Sequence, residues 1–305
     1  MKKLLPYIMI AFGASLWGII AVFVKGLAEF GFKPMEIVAI RVIWAAVFLL
    51  LIALFRYRDQ MKLQKWSDIR FFIGTGILSI VFFNFCYFTA ISEMNISVAV
   101  ILLYTSPAFV TILSFIFLKE GLSINKIIAV IGTIIGCFLI AGVSSGDSKI
   151  TLFGIIVGLG SGFGYALYTI FGKFALRKYQ PFTITLYTFS IAAIALIPFT
   201  HLWEKIDLLL NMKVILFGAG LGFIPTVLAF LVYTWGLEKT EGSKAAVIAT
   251  VEPVVATAVG VLLYQESLGI IQMAGAALIL CSVIIVNLNF GKRRSVLTEK
   301  TDMAN

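Results

Sequence analysis

The chain has 305 residues, of which 61% are hydrophobic and only 13% are charged, and its net charge is +9. Soluble domains are about 45–50% apolar and about 25% charged, so this composition excludes an ordinary soluble protein and indicates a membrane protein. A basic chain would also suit a nucleic-acid-binding protein, but the positions of the basic residues argue against that class.

Ten stretches are long and apolar enough to cross about 30 Å of hydrocarbon, which takes about 20 helical residues. In chain order they are 5–25, 35–55, 71–91, 97–118, 126–143, 150–172, 182–199, 213–236, 244–264 and 269–289. They are apolar on all sides, whereas the strands of a membrane barrel alternate apolar and polar residues. The predicted fold class is therefore an all-α polytopic membrane protein with ten transmembrane helices, followed by a polar tail at 291–305.

The basic residues are divided unequally between the two sides of the predicted bundle. Eighteen of the 24 Lys and Arg residues fall on the side of the N-terminus, five fall on the other side, and Arg41 lies within the second span. Loops rich in Lys and Arg face the cytoplasm. We therefore expect a multi-pass protein of the cytoplasmic membrane with both termini and the 291–305 tail in the cytoplasm. The positive charge reflects insertion into a lipid bilayer, and no nucleic-acid partner is expected.

An internal repeat links the two halves of the chain. The segment SPAFVTILSFIFLKE at 106–120 matches EPVVATAVGVLLYQE at 252–266 with a constant offset of 146 residues. Five predicted spans separate the copies, and an odd number of crossings reverses the direction in which the second copy enters the membrane. The sequence thus predicts two inverted five-helix repeats, at 1–146 and 147–290.

Each copy contains a proline and ends on an acid. Pro107 and Pro253 each remove a backbone donor and crowd the carbonyl four residues earlier, so a kink near the middle of the membrane is expected, either for gating or simply for packing. Glu120 and Glu266 lie at helix ends, where an acid can accept hydrogen bonds from the free amides at the start of the next helix. We expect these two acids to have a structural rather than a substrate-binding role.

Two further charged residues fall within the predicted spans. An ionised carboxylate at the middle of a bilayer costs at least ~2.5 kcal/mol. Glu252 is thus either a cavity acid that binds a proton or a substrate amine, or a hydrogen-bonded acid that serves packing beside Pro253. Arg41 cannot release its proton and needs a partner. The candidates are Glu252, helix carbonyls or a substrate carboxylate.

The ten-span pattern, the duplicated segment and the arginine in IVAIRVIWAAVF, residues 37–48, resemble the drug/metabolite transporter superfamily, and specifically its EamA-type members. The resemblance implies a five-plus-five inverted fold in which helices one to four and six to nine enclose a substrate cavity, while helices five and ten are peripheral. Members move small organic solutes and often export amino acids, related metabolites or drugs across the cytoplasmic membrane. The family pattern also favours a structural or gating role for Arg41.

Eight polar or aromatic residues in the presumed lining helices are candidates for substrate contacts. An amphipathic ring suits a solute cavity, but it also suits the bundle core or the belt at the membrane surface, and each residue has that second interpretation. The candidates are Trp17, Asn84, Tyr87, Tyr104, Tyr165, Tyr168, Tyr233 and Trp235.

Few residues offer metal, cofactor or nucleotide chemistry. The cysteines Cys86, Cys137 and Cys281 lie in apolar stretches without an evident pairing, and His201 is the only histidine. No P-loop motif is present. We therefore expect no metal, no cofactor and no ATP hydrolysis.

The leading hypothesis is a secondary active transporter, an exporter by analogy with the family, that moves a small-molecule substrate by alternating access with Glu252 as a candidate for proton coupling. One alternative is an intramembrane enzyme, which would need a nucleophile with its base, a metal cluster or paired acids within the spans. Another alternative is a passive solute channel. The sequence specifies neither the substrate nor the oligomeric state.

Overall fold

The computed structural model describes residues 4–141, 151–265 and 269–287, and these residues form helices and no strand. Ten helices are long and apolar enough to cross a membrane, which confirms the predicted fold class. They are α1 Leu5–Ala28, α2 Pro34–Arg56, α3 Trp66–Glu93, α4 Ile96–Leu118, α5 Ile124–Ala141, α6 Leu152–Ala175, α7 Pro181–Thr200, α8 Met212–Glu238, α9 Gly242–Tyr264 and α10 Ile270–Asn287. The largest difference from the predicted bounds is at α3, because a short 3₁₀ turn over Trp66–Asp68 leads directly into the helix.

Contacts between helix ends define two faces of the bundle. A methyl group at Gly236, near the end of α8, would lie 2.6 Å from the carbonyl oxygen of Pro6, at the start of α1. Glu120, just after α4, accepts a hydrogen bond from the amide of Gly242, at the start of α9. We call the end of the bundle that holds these residues the N-terminal face, and the other end the opposite face.

Helices α5 and α10 pack closely along each other. A methyl group at Gly136 would lie 2.9 Å from the carbonyl oxygen of Gly275, and one at Gly275 would lie 2.7 Å from that of Gly136. Small residues allow two membrane helices to approach to this distance. The remaining surface of α10 exposes large apolar side chains such as Ile271 and Ile284, as expected for a helix at the lipid-facing edge of the bundle.

Helices α4 and α9 are interrupted at equivalent positions. The helical hydrogen bonding of α4 breaks at Tyr104 and that of α9 at Thr250, which are 146 residues apart. Pro107 and Pro253 lie three residues after these breaks, in the first turn of the segment that follows. The interruptions therefore fall where the two prolines predicted kinks.

The ends of α4 and α9 share an unusual backbone conformation. Lys119 has a φ of 58° and Gln265 a φ of 55°, and these residues are again 146 apart. A residue other than glycine is uncommon in this left-handed region. Helices α3 and α8 also match, since each contains a π-helical segment, at Gly74–Val81 and at Phe223–Leu228. All these coincidences are compatible with the predicted inverted repeat.

Candidate functional site

A cavity of about 340 Å³ lies in the middle of the bundle. Most of its wall is apolar or aromatic and comes from α1 to α4, α6, α8 and α9, with Ile140 of α5 at the edge. Val24 near the end of α1 and Pro34 at the start of α2 also line it, so the cavity extends from the bundle centre to the opposite face. Volumes of 300–1,000 Å³ are typical of small-molecule sites.

Glu252 lies on the wall of this cavity because α9 is interrupted at Thr250, which leaves Glu252 in the first turn of the next segment. Gly18 of α1 allows the approach, since a methyl group there would lie 2.9 Å from the carbonyl oxygen of Glu252. The Tyr165 hydroxyl donates to Oε2 of Glu252 over 3.1 Å, and Tyr104 is a further polar neighbour. Among the described residues, no Lys or Arg nitrogen lies within 4.0 Å of this carboxylate.

Arg41 lies on the same cavity wall and is held by a threonine. Its Nε donates to Oγ1 of Thr226 over 2.8 Å, and the Thr226 hydroxyl donates to the carbonyl of Leu221 over 2.7 Å. Of the three partners considered from the sequence, Glu252 and a helix carbonyl do not form this contact. Within the described part of the chain, no protein acceptor bonds the terminal guanidinium nitrogens.

Asn84 provides a third polar group on the cavity wall. Its Nδ2 donates to the carbonyl of Ile80 over 2.7 Å, and only 4% of the residue is exposed. An amide side chain has an acceptor oxygen as well as donors, and no described residue donates a hydrogen bond to this oxygen. The cavity wall thus carries a cation, an acid and an amide on a surface that is otherwise mostly apolar or aromatic.

The residues predicted from the sequence to line the cavity or to kink its helices lie in four kinds of place. Tyr168 and Tyr233 line a smaller void nearer the N-terminal face, and Pro107 is buried away from the described cavities. Trp235 does not join the site, because it follows Tyr233 by two residues, about 200° around the helix, and is 40% exposed on the bundle surface. Those that line the central cavity are Trp17, Arg41, Asn84, Tyr87, Tyr104, Tyr165, Glu252 and Pro253.

Two hydroxyl pairs close the bundle between the cavity and the N-terminal face. Tyr168 and Thr234 lie 2.8 Å apart, and Thr169 and Tyr233 lie 3.0 Å apart, measured between their oxygens. Both pairs join α6 to α8. Closer to the face, Lys173 donates to the carbonyls of Leu237 and Thr240.

Glu120 forms the next contact on this face. One of its oxygens accepts from the amide of Gly242 over 2.6 Å, and the other accepts from the amide of Ser243 over 3.1 Å and from its hydroxyl over 2.6 Å. The expected capping role is therefore present, but it serves the start of α9 instead of the next helix, α5. The reason is that Glu120 follows α4 directly, and α4 packs against the start of α9. Its counterpart Glu266 lies outside the described residues.

Ion pairs complete the N-terminal face. Lys126 Nζ lies 3.2 Å from Glu241 and 3.8 Å from Glu120, and Lys244 lies 3.2 Å from Glu241. Partial burial opposes the ionisation of Glu241, but the attraction of Lys126 and Lys244 is stronger and lowers its pKa. Nearby, Asp68 accepts from Lys178 over 2.7 Å and from Tyr179 over 2.8 Å.

Among the described residues, which leave out two loops of the opposite face, that face has fewer hydrogen bonds and ion pairs between helix ends than the N-terminal face. Lys205 pairs with Glu36 at 2.7 Å, and Lys25 lies 3.3 Å above the ring centre of Tyr264. His201 is exposed beside Trp203. Within the residues that the structure describes, no three His, Cys, Asp or Glu side chains come together as a group that could hold a metal ion.

The sequence comparisons agree on one family, and a structure comparison shows a shared fold. The family model described as the EamA-like transporter family matches residues 4–142 and 152–288. An uncharacterized transporter from Archaeoglobus fulgidus is 31% identical over 94% of this chain and 99% of its own, and the uncharacterized transporter YwfM of Bacillus subtilis is 26% identical over 94% and 95%. One solved crystal structure superposes with a TM-score of 0.74 at 18% identity, covering 91% of this chain and 95% of the other, which is a likeness of fold.

Proposed function

Because this chain belongs to the EamA-like transporter family, we propose that it is a secondary active transporter that exports small organic solutes across the cytoplasmic membrane. The observation that best supports this proposal is the central cavity, which reaches the opposite face and carries the buried Arg41 and the half-buried Glu252 on its wall. A charged side chain at this depth of a membrane protein usually marks a substrate or ion pathway.

The transport cycle that fits this arrangement is alternating access between two inverted five-helix repeats, 1–146 and 147–290. The N-terminal face is the cytoplasmic one, as the excess of Lys and Arg on that side favours. In the conformation described, the cavity is accessible from outside, and the hydroxyl pairs with Lys173 and Glu120 close the cytoplasmic side. An inward-open conformation forms when these contacts between α4, α6, α8 and α9 separate.

The substrate class follows from the groups on the cavity wall. The free guanidinium nitrogens of Arg41 suit a carboxylate, and the acid of Glu252 suits an amine or a proton. The apolar and aromatic remainder, which includes Trp17 and Tyr87, suits a hydrophobic side chain. A zwitterion such as an apolar amino acid satisfies all three features, and a hydrophobic amine satisfies the last two.

Coupling to protons is assigned to Glu252. When neutral, its carboxyl can keep a hydrogen bond with Tyr165 without bringing a net charge into the cavity. When ionised, it attracts the cationic end of the solute. A proton and a cationic solute therefore compete for one carboxyl group, which is the requirement for exchange of one against the other.

The test begins with a thermal-shift screen of amino acids and hydrophobic amines, because a ligand of the folded state raises its stability by mass action. The ligand that binds best is then followed in proteoliposomes. Transport by the wild-type chain should depend on pH and saturate with counterflow, whereas Glu252→Gln should lose the pH dependence. Glu93→Gln, an acid at the end of α3 outside the cavity lining, is the matched control and should behave as wild type.

Three results would contradict these assignments. Transport by Glu252→Gln with an unchanged pH dependence would remove the coupling role. Flux that does not saturate and shows no counterflow would indicate a passive channel. Chemical conversion of the ligand without its movement across the membrane would indicate an enzyme.

A further inference from the structure

A second, smaller void lies between the cavity and the hydroxyl pairs. Its volume is about 20 Å³, and Trp17, Phe83 and Tyr165 border both it and the central cavity. The centre of the Trp17 indole ring lies 5.0 Å from the ring centres of Phe230 and Tyr233, which also border the void. The other residues around the void are Ser79, Ile80, Tyr168 and Thr169.

Two buried polar groups border this void and have no hydrogen-bond partner among the described residues. They are Nε1 of Trp17 and Oγ of Ser79, in residues that are 6% and 1% exposed. A buried donor or acceptor without a partner costs about 1–3 kcal/mol. Most buried polar groups in proteins are therefore bonded to protein or to ordered water.

The size and chemistry of the void match one water molecule. A water needs at least about 10–15 Å³ and two to four polar partners. Trp17 Nε1 can donate to it, and Ser79 Oγ can donate or accept. The hydroxyls of Thr169 and Tyr233, which bond to each other, retain further capacity as acceptors. Most of the wall of this void is apolar and aromatic, so the water depends on the few polar groups that border it, and two of these have no other partner among the described residues.

We propose that this void is a binding site for one ordered water, held by the Trp17 indole N–H and the Ser79 hydroxyl. We further assign it as the first part of the closed half of the solute route, which runs along one stripe of α6. That stripe consists of Tyr165, Thr169 and Lys173, at intervals of four residues, and covers about 12 Å of helix, and Arg177 follows it in the turn just after α6. It ends at a hollow of about 460 Å³ at the N-terminal face, lined by Lys173 and Arg177. The route rests on the proposed transport function, whereas the water site does not.

The water would keep this part of the route polar while the bundle is closed to solutes. A space for one water is too small for an amino acid, so it passes no solute in the conformation described. When α6 and α8 separate, the hydroxyl pairs break, and their hydroxyl groups need new hydrogen-bond partners. The bound water beside Thr169 and Tyr233 is the first such partner.

X-ray hydroxyl-radical footprinting of the full chain in detergent micelles tests the site, because radicals form at bound water and modify the side chains next to it. We expect Tyr233 to be modified several-fold faster than Phe189, which is equally inaccessible but does not border the void. Ser79→Ala and Trp17→Phe together should reduce the modification of Tyr233 to the Phe189 level. The matched control is Ser114→Ala, since Ser114 also has a buried hydroxyl without a partner among the described residues and borders none of the described cavities. It should change nothing at Tyr233.

The outcomes separate the water site from the route. If Tyr233 is modified no faster than Phe189, or equally fast with and without the two substitutions, the water site is refuted. The route is tested by Glu120→Ala, which removes a contact of the N-terminal face and should raise the modification of Tyr168 and Tyr233 several-fold without raising that of Tyr87 in the cavity. Unchanged modification of Tyr168 and Tyr233 in that variant would refute the route. Absence of transport with all footprints as expected would refute the proposed function, and with it the solute route, but not the water site.

Discussion

The two faces of the bundle differ in how they are held together. At the N-terminal face, α9 is bonded to α4 through Glu120, and α8 is bonded to α6 through Lys173 and the hydroxyl pairs. At the opposite face, the contacts among the described residues include a Lys205–Glu36 pair, Lys25 over the Tyr264 ring and a long Thr151–Glu93 hydrogen bond, and the cavity reaches this face.

This difference shows how hydrogen bonds between helices can close one face without a thick layer of apolar side chains. Glu120, Lys173 and the two hydroxyl pairs act through hydrogen bonds, most of them to backbone groups or other hydroxyls of the facing helix. Such bonds contribute about 0.5–1.5 kcal/mol each, and about 1.5–3 kcal/mol when one partner is charged. A few of them are enough to favour one conformation, and a ligand with a few kcal/mol of preference can reverse it.

Among the substitutions that test the difference between the two faces, Glu120→Ala should have the largest effect on stability. The substitution leaves the amides of Gly242 and Ser243 without their acceptor and removes a charge-assisted cap, so we expect the free energy of unfolding to fall by about 2–4 kcal/mol. Urea unfolding in mixed micelles measures the change. In the remaining folded protein, the conformational equilibrium should also shift toward an open N-terminal face.

The matched control for Glu120→Ala lies on the opposite face. Glu93 ends α3 and accepts one long hydrogen bond, of 3.5 Å, from the Thr151 hydroxyl. Glu93→Ala should change the free energy of unfolding by less than about 0.5 kcal/mol, as is usual for a surface substitution. If Glu120→Ala and Glu93→Ala lower the free energy of unfolding equally, the two faces are held together equally strongly, contrary to the contacts described.

The repeated features of the fold were predictable because they depend on local chemistry. The number of helices follows from apolar length, and the breaks in α4 and α9 follow from Pro107 and Pro253. Glu252 was identifiable because a carboxylate within an apolar span is costly wherever it points. Its place on the cavity wall confirms only its location, and its role stays a proposal.

Partners that are distant in the sequence could not be predicted. Thr226 holds Arg41 across 185 residues, and a threonine in an apolar span carries no signal that distinguishes it from a packing residue. Glu120 caps α9 and not α5 because of the way helices of different halves pack. The unpartnered hydroxyl of Ser79 likewise depends on which neighbours surround it, and one sequence does not specify them.

The two ends of the α1/α8 pair provide the next test of the comparison. A methyl group at Gly236, at the N-terminal face, would meet the backbone oxygen of Pro6 at 2.6 Å, whereas one at Gly26, at the opposite face, would meet the ring of Phe217. A backbone atom cannot move without shifting its helix, but a ring can rotate. Gly236→Ala should therefore lower the free energy of unfolding by about 1–3 kcal/mol, and Gly26→Ala should lower it less, by the same measurement.

Gly121→Ala is the control for the glycine substitutions, because a methyl group there would have no neighbour within 4 Å. It should leave the stability close to that of the wild type. If Gly26→Ala costs as much as Gly236→Ala, the opposite end of the pair is packed as rigidly as the N-terminal end.

The smallest expected effect concerns the pH dependence of the N-terminal face. The pKa of Glu241 lies below its ordinary value of 4.5 in the folded protein: burial opposes this, but Lys126 and Lys244 attract the carboxylate more strongly. Since the folded pKa is lower than the unfolded one, the ion pairs stabilise the fold fully above about pH 4.5, and this contribution is lost as the pH falls through the folded pKa. Glu241→Gln should therefore lower the Tm slightly at about pH 7, and the difference from the wild type should shrink as the pH falls below about 4.5. Glu238→Gln, on the same face but without an ion pair within 4.0 Å among the described residues, should not lower the Tm anywhere in this pH range. A Tm difference for Glu241→Gln that does not shrink as the pH falls would mean that Glu241 contributes through packing or hydrogen bonding and not through these ion pairs.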